Sequence, residues 1–352
     1  MKHTKTSVLL LLTAFFLSVL FSSCALRETK FTAYSLDYFD TATTITGYAE
    51  DRAAFDSISN DILSVLGEYH RLYTIYHHYD DMENLCTVNT LENGVHRTVP
   101  VDRRITDMLL YAKDMYALTD GRMNIAMGSV LSIWHDYRTA GLDEPSAAAL
   151  PSMEELSRAA LHTNIDDLVI DEEAGTVFLA DPDMTLDVGA IAKGYAVEMA
   201  AQMLEERGIS GYVINVGGNV RTVGSKPDGS PWLAGIENPN PTDDAPYVGY
   251  LHLTGESIVT SGTYQRYYMV DGKSYHHIID ADTLFPAEGY LSISIVCKNS
   301  ALGDALSTAL FCMTPEDGLA LVERLADVEA LWILADESRQ YSSGFAAYLT
   351  EP

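Results

Sequence analysis

Basic residues are scarce. The chain of 352 residues carries 22 Lys plus Arg against 50 Asp plus Glu, a formal charge of −28. A surface of that sign repels phosphate backbones and anionic membranes, which argues against nucleic-acid binding and against attachment to a bilayer by charge. A phosphate-bearing ligand would need local help from a metal, a lysine or backbone amides. Cysteine is scarce too. Cys24, Cys86, Cys297 and Cys312 show no CxxC spacing and so supply neither a zinc site nor a disulfide framework. The GxSxG elbow, the HExxH pair and the GxGxxG fingerprint are missing, which weighs against common hydrolases, zinc proteases and Rossmann dehydrogenases. No repeat and no low-complexity linker divides the chain.

What is present begins with an N-terminal pattern. Lys2 and Lys5 precede an uncharged apolar run, Val8 to Phe21, that is short for a membrane-spanning helix. Phe21-Ser22-Ser23-Cys24 then resembles a lipobox, with Phe where Leu is usual. The expectation is a lipoprotein signal peptide over 1–23, a lipidated Cys24 opening a tether over 24–34, and a folded part over 35–352. Acyl chains on Cys24 would hold that part at the extracytoplasmic face of the cell membrane.

Strand and helix patterns alternate along the rest, giving an α+β fold class. Phe55, Ile58, Ile62, Leu66, Tyr69 and Leu72 recur at helical spacing. Asp102 is placed to cap a second helix. Leu168 to Ile170 and Val177 to Ala180 read as a hairpin. A helix is expected over Ala190 to Arg207, ending at Gly208, with the strand Gly211 to Val216 after it. Another is expected over Ala301 to Met313. Pro241 to Asp244 reads as a loop.

Four places could carry chemistry, and each has an ordinary structural reading when taken alone. In Asp187-Val188-Gly189-Ala190-Ile191-Ala192-Lys193-Gly194, a turn feeds a helix, which leaves free N–H groups and a lysine where a phosphate could sit. Gly217 and Gly218 follow a strand and permit close approach of a backbone or a flat ligand. In Tyr275-His276-His277-Ile278-Ile279-Asp280, the two histidines fall on opposite faces, so one at most faces a site and could accept a proton. Asp304 and Thr308 share a helix face at i, i+4 and offer hard oxygen ligands suited to Mg²⁺. Their neighbours Ala301, Leu302, Ala305, Leu306, Ala309 and Leu310 make an idle buried aspartate costly.

In this order, these pieces resemble the ApbE family of FAD:protein FMN transferases. DTATTITGY, RLYTIYHHYDDMENLCTVN, DGRMNIAMGSVLSIW, LDVGAIAKGYAVE, VINVGGNV, SIVTSGTYQR, HHIID and GDALSTAL carry the resemblance. It implies a T-fold-like single catalytic domain, with antiparallel sheets packed by helices. It implies Mg²⁺ on Asp304, Thr308 and the carbonyl of Ala190, and Lys193 near the FAD diphosphate. Gly217, Gly218 and Asn219 would shape the flavin site, and Thr260, Ser261 and Gly262 would line it. His277 would deprotonate a Thr or Ser hydroxyl on an exported FMN-binding acceptor of a membrane redox system, with AMP leaving. Hydrolysis of FAD to FMN and AMP, and flavin binding without catalysis, remain alternatives. Two departures stand out. Ala281-Asp282-Thr283-Leu284-Phe285-Pro286 replaces the usual Pro-x-Thr-Gly-x-Pro, which implies a differently shaped turn. Met123 and Asn124 stand where Phe and Asp are usual, removing one acid from the cleft.

Overall fold

The computed structural model describes residues 28–240 and 246–350. Cys24, the expected signal peptide and the expected loop at Pro241 to Asp244 lie outside the described residues. Eight strands form the main sheet: β1 (Thr29–Ser35), β2 (Thr43–Ala49), β3 (Tyr212–Val216), β4 (Asn219–Val223), β5 (Ser257–Gly262), β6 (Tyr290–Cys297), β7 (Val328–Leu334) and β8 (Arg339–Tyr341). Their order in the sheet is their order in the chain, and every neighbouring pair is antiparallel. What varies is the material between strands. The longer helices are α1 (Arg52–Tyr73), α2 (Arg103–Leu118), α3 (Gly128–Asp143), α4 (Ala192–Glu206), α5 (Ser300–Phe311) and α6 (Pro315–Val322). The first four lie between β2 and β3, and the last two between β6 and β7.

The two faces of the sheet have different cover, and the period-two alternation of the strands records it. Ile293, Ile295 and Trp332 pack against Leu306 and Leu310 of α5. Val296, Leu331 and Ile333 face the other way, against Ile236, Leu251 and Leu253 of a three-stranded side sheet. Because both faces of β6 are covered, nearly every residue in it is buried.

The expected helices and hairpin are present. The Asp51 carboxylate accepts from Ala54 N at 2.8 Å and caps α1, whose Phe55, Ile62, Leu66, Tyr69 and Leu72 are buried. Asp102 caps α2 in the same way. Leu168–Asp171 pairs with Thr176–Leu179 around Gly175, at φ +64°. Two boundaries differ from expectation. The α4 helix starts at Ala192 rather than Ala190, because a turn closed by Ile191 N and Ala192 N on the Val188 carbonyl occupies the preceding residues. Residues 29–34, expected as tether, are strand, registered residue by residue on β2 from Thr29↔Ala49 onwards. The sequence there is too polar to advertise a strand, and β2 supplies the pairing. Among the described residues no helix is long and apolar enough to cross a membrane.

Candidate active site

The helices α4 and α5 meet with almost no space between them. A Cβ on Gly194 would stand 2.3 Å from the Ser300 carbonyl oxygen and 2.5 Å from the Asp304 Cβ, so this approach requires glycine. A buried ion pair holds the same junction. Glu198 Oε2 lies 3.2 Å from Arg221 Nε and accepts from Ser300 N at 2.8 Å, which ties α4, β4 and the start of α5 together.

Asp304 sits at this junction and is 4% exposed. Its Oδ2 accepts from Gly194 N at 2.8 Å. That N–H would otherwise close a helical turn onto the Ala190 carbonyl, which is left without this partner. Lys193 Nζ lies 3.7 Å from Asp304 Oδ1 and donates to the Gly189 carbonyl at 3.2 Å. Burial pushes the Asp304 pKa up, while Lys193, the Gly194 N–H and the Asn219 side chain pull it down. The buried Asn219 leaves its Oδ1 without a partner. A buried carboxylate, a hydroxyl one turn further along the same helix, a carbonyl released from its helix and an unpartnered amide oxygen make a hard-oxygen donor set. Such a set fits Mg²⁺.

Above this floor opens a cleft of about 700 Å³. Of the expected residues, Ala190, Lys193, Gly217, Gly218, His277 and Thr308 line it. Asp304 and Asn219 lie in the layer beneath. Gly217 and Gly218 make the β3–β4 turn at φ +55° and +92°, and a Cβ on Gly217 would come within 2.5 Å of Thr41 Oγ1. Thr260, Ser261 and Gly262 are set back from the cleft. The hydroxyl of Thr260 pairs with Ser294 at 2.8 Å, that of Ser261 pairs with Ser307 at 2.8 Å, and Gly262 is buried against Tyr264. Thr260 thereby links two strands of the sheet, and Ser261 ties the sheet to α5.

The two histidines divide as the alternation requires. His276 is buried, with Nε2 donating to the Ala287 carbonyl at 2.8 Å and Nδ1 accepting from Ile278 N at 3.2 Å. Both nitrogens are committed, and the ring is neutral. His277 is half-buried on the cleft wall. Its N–H and its Nδ1 both donate to the Arg266 carbonyl, at 3.1 and 3.2 Å. Since a carbonyl can only accept, the lone pair belongs to Nε2. Burial, then Arg266, His276, Lys193 and Arg138, push the His277 pKa down to about 3.

The departing turn after HHIID is held by side chains. Asp280 Oδ1 accepts from Asp282 N at 2.7 Å and Thr283 N at 3.0 Å, and Asp282 pairs with Arg122 at 2.5 Å. Leu284 occupies the glycine position of the usual motif at φ +61°, and its carbonyl accepts from Trp134 Nε1 at 2.9 Å. Asn124, the other departure, lines the cleft and donates to the Thr163 carbonyl at 3.0 Å, a bond that a carboxylate could not make.

Three cleft residues escaped the sequence reading. Asp187, half-buried, accepts from Gly189 N at 2.8 Å, and burial pushes its pKa up. It lies inside the LDVGAIAKG stretch that drew attention to Lys193. Arg266 follows SGTYQ directly. Arg138 has no local signal, since α3 alone brings it to the cleft.

Comparison with known proteins places the chain in a family. The ApbE family model matches residues 39–332. A Klebsiella pneumoniae protein named FAD:protein FMN transferase is 32% identical over 272 residues, covering 75% of this chain and 81% of the relative. An Escherichia coli K12 protein of the same name is 30% identical over 229 residues, covering 64% of this chain and only 63% of the relative. The crystal structure of the ApbE protein from Thermotoga maritima superposes with a TM-score of 0.78 at 27% identity, covering 92% of this chain and 100% of the other. The flavin transferase ApbE from Vibrio cholerae gives 0.74 at 25% identity, with the same coverage. This chain belongs to the ApbE family.

Proposed function

We propose that this protein is an FAD:protein FMN transferase: it moves FMN from FAD to a Thr or Ser hydroxyl of an exported acceptor protein and releases AMP. The observation that carries the reading is the pairing, in one cleft, of an oxygen donor set beneath Lys193 with a histidine whose Nε2 is free. Asp304, Thr308 and the Ala190 carbonyl would hold Mg²⁺, with Asn219 Oδ1 beside them. A bound magnesium ion neutralises charge on diphosphate oxygens. Lys193 adds a second positive charge at the same place. The glycine turn at Gly217 and Gly218 lets a flat ring system approach the backbone. His277 Nε2 takes the proton of the acceptor hydroxyl as its oxygen bonds to the FMN-side phosphorus. Phosphoryl transfer of this kind depends on positioning and charge neutralisation more than on covalent help from the protein. With the expected lipid on Cys24, the domain that begins with β1 at Thr29 would work at the extracytoplasmic face of the membrane on an FMN-binding domain of a membrane redox system.

The test is an intact-mass measurement on an FMN-binding acceptor domain incubated with FAD, Mg²⁺ and the fragment Ala25 to Pro352. A gain of one FMN unit, abolished by EDTA, is expected. Magnesium-dependent AMP release without that gain would replace transfer by FAD hydrolysis. Bound FAD with neither product would leave a flavin-binding protein. His277→Ala should retain FAD and lose transfer by about 10²- to 10⁴-fold, the usual contribution of a general base. Equal transfer in that variant would remove His277 from the role.

A further inference from the structure

Most arginines among the described residues are ion-paired, as a strongly acidic chain would lead one to expect. Two that face the cleft are not. Arg138, on α3, is half-buried and makes no hydrogen bond or ion pair among the described residues. Arg266, on the rim, reaches the backbone carbonyl of Asp40 at 3.5 Å and no carboxylate. Both line the same cavity as Lys193 and His277. Burial and then Arg266 push the Arg138 pKa down, with Tyr76 and Asp187 opposing. Asp187 bears on both arginines, and its carboxylate is already engaged by Gly189 N. Asp40, Asp187 and Glu237 line the same cleft, but none of them forms an ion pair with half-buried Arg138 or exposed Arg266, so the guanidinium N–H donors are left for a ligand. On a chain of charge −28 such an arrangement is not a by-product of composition.

We propose that Arg138 and Arg266 form a two-armed clamp for the phosphate that leaves with the nucleotide. This rests on the transferase reading. In the reaction, the acceptor oxygen bonds to the FMN-side phosphorus and its proton passes to His277 Nε2. The bond from that phosphorus to the bridging oxygen breaks, and the electron pair stays on the bridging oxygen of departing AMP. Charge therefore builds on the AMP phosphate. A planar guanidinium is suited to receive it, with paired N–H donors that match two phosphate oxygens. The work is thus divided: Lys193 and the oxygen donors serve the phosphorus under attack, and the two arginines serve the group that departs.

The test is calorimetric titration of the fragment 25–352, in Mg²⁺, with AMP, inorganic pyrophosphate, adenosine and riboflavin. For Arg138→Gln and Arg266→Gln, affinity for AMP and for pyrophosphate should fall at least about tenfold, while adenosine and riboflavin bind as before. Arg138→Lys should recover part of the loss. In steady-state transfer the glutamine variants should lose kcat, because the charge they meet grows in the transition state. Equal AMP and pyrophosphate affinity in wild type and variants overturns the clamp, as does a wild type that binds neither anion. A wild type that transfers no FMN, yet binds pyrophosphate through Arg138, would sink the transferase reading and leave the anion clamp standing. Because neither arginine is in an ion pair, unfolding is not expected to obscure the result, and far-UV circular dichroism of each variant checks this.

Discussion

The floor and the wall of the cleft are built on opposite principles. The floor, where α4 meets α5, consists of buried charges whose partners are all within the protein: Asp304 on Gly194 N and Lys193, Glu198 on Arg221 and Ser300 N. The wall is a two-stranded hairpin, Tyr267–Val270 with Lys273–His276, followed by the Asp280 turn. It carries exposed Arg266 and half-buried His277, whose free valences point at whatever enters. The lesson is that the part which fixes a donor set is rigid and internally satisfied, whereas the part which meets two successive partners keeps its polar groups unspent.

That contrast can be broken from the floor first. Glu198→Ala removes one of the two carboxylates on buried Arg221, which keeps Glu205 and the carbonyls of Thr222 and Gly255, and it removes the acceptor of Ser300 N. A loss of about 3 kcal/mol is expected from breaking a buried ion pair, to be read by urea denaturation. A loss below about 1 kcal/mol would mean the junction is held by packing instead. Gly194→Ala comes next. It forces α4 and α5 apart and should cost about 1–3 kcal/mol in stability. It should also weaken Mg²⁺ dependence, since Asp304 moves with α5; a variant with unchanged magnesium titration would separate the packing from the donor set.

The wall is tested by pH. With the His277 pKa near 3, the ring stays neutral in the free protein far below the usual histidine value. The pH profile of kcat/KM, which reports free-enzyme ionisations, should therefore show no acid limb between about pH 6 and 7. The same shift has a stability consequence. The unfolded chain takes up this proton around pH 6.5 and the native state does not. The contribution is complete above that value and is lost as pH falls from there towards 3, and His277→Gln should flatten that part of the stability curve. The smallest effect is expected at Leu284→Gly. Relief of a left-handed leucine, about 1–2 kcal/mol, is offset by the entropy of glycine and by lost packing, leaving a net change within about 1 kcal/mol. A larger destabilisation would show that the leucine side chain holds the turn.

The floor was more legible in the sequence than the wall. Asp304 and Thr308 declared themselves by helical spacing inside an apolar run, and Lys193 by following a turn at a helix start. The HHIID alternation separated one histidine from the other, although only the hydrogen bonds tell which one faces the cleft. Glu198, Arg138 and Arg266 were not legible, because their roles come from residues distant in the chain that only the fold brings together. Thr260 and Ser261 were expected on the cleft surface by resemblance, and nothing in the sequence signalled that their hydroxyls pair with Ser294 and Ser307. Strand β1 was missed for a related reason: an edge strand takes its conformation from its neighbour's backbone.

The agreement between strand order and chain order has a kinetic side. Hairpin-like neighbours such as β3 and β4, or β7 and β8, can close as soon as both strands exist, at little entropic cost. Joining β2 to β3 is different, because α1 to α4 must be threaded between them first. That single long closure should limit the rate at which the sheet assembles. It also sets a sequence of events, in which the β4-to-β8 half can form early and the cleft exists only once β1 and β2 have docked. Until then the Asp304 side of the floor waits for its Gly194 side.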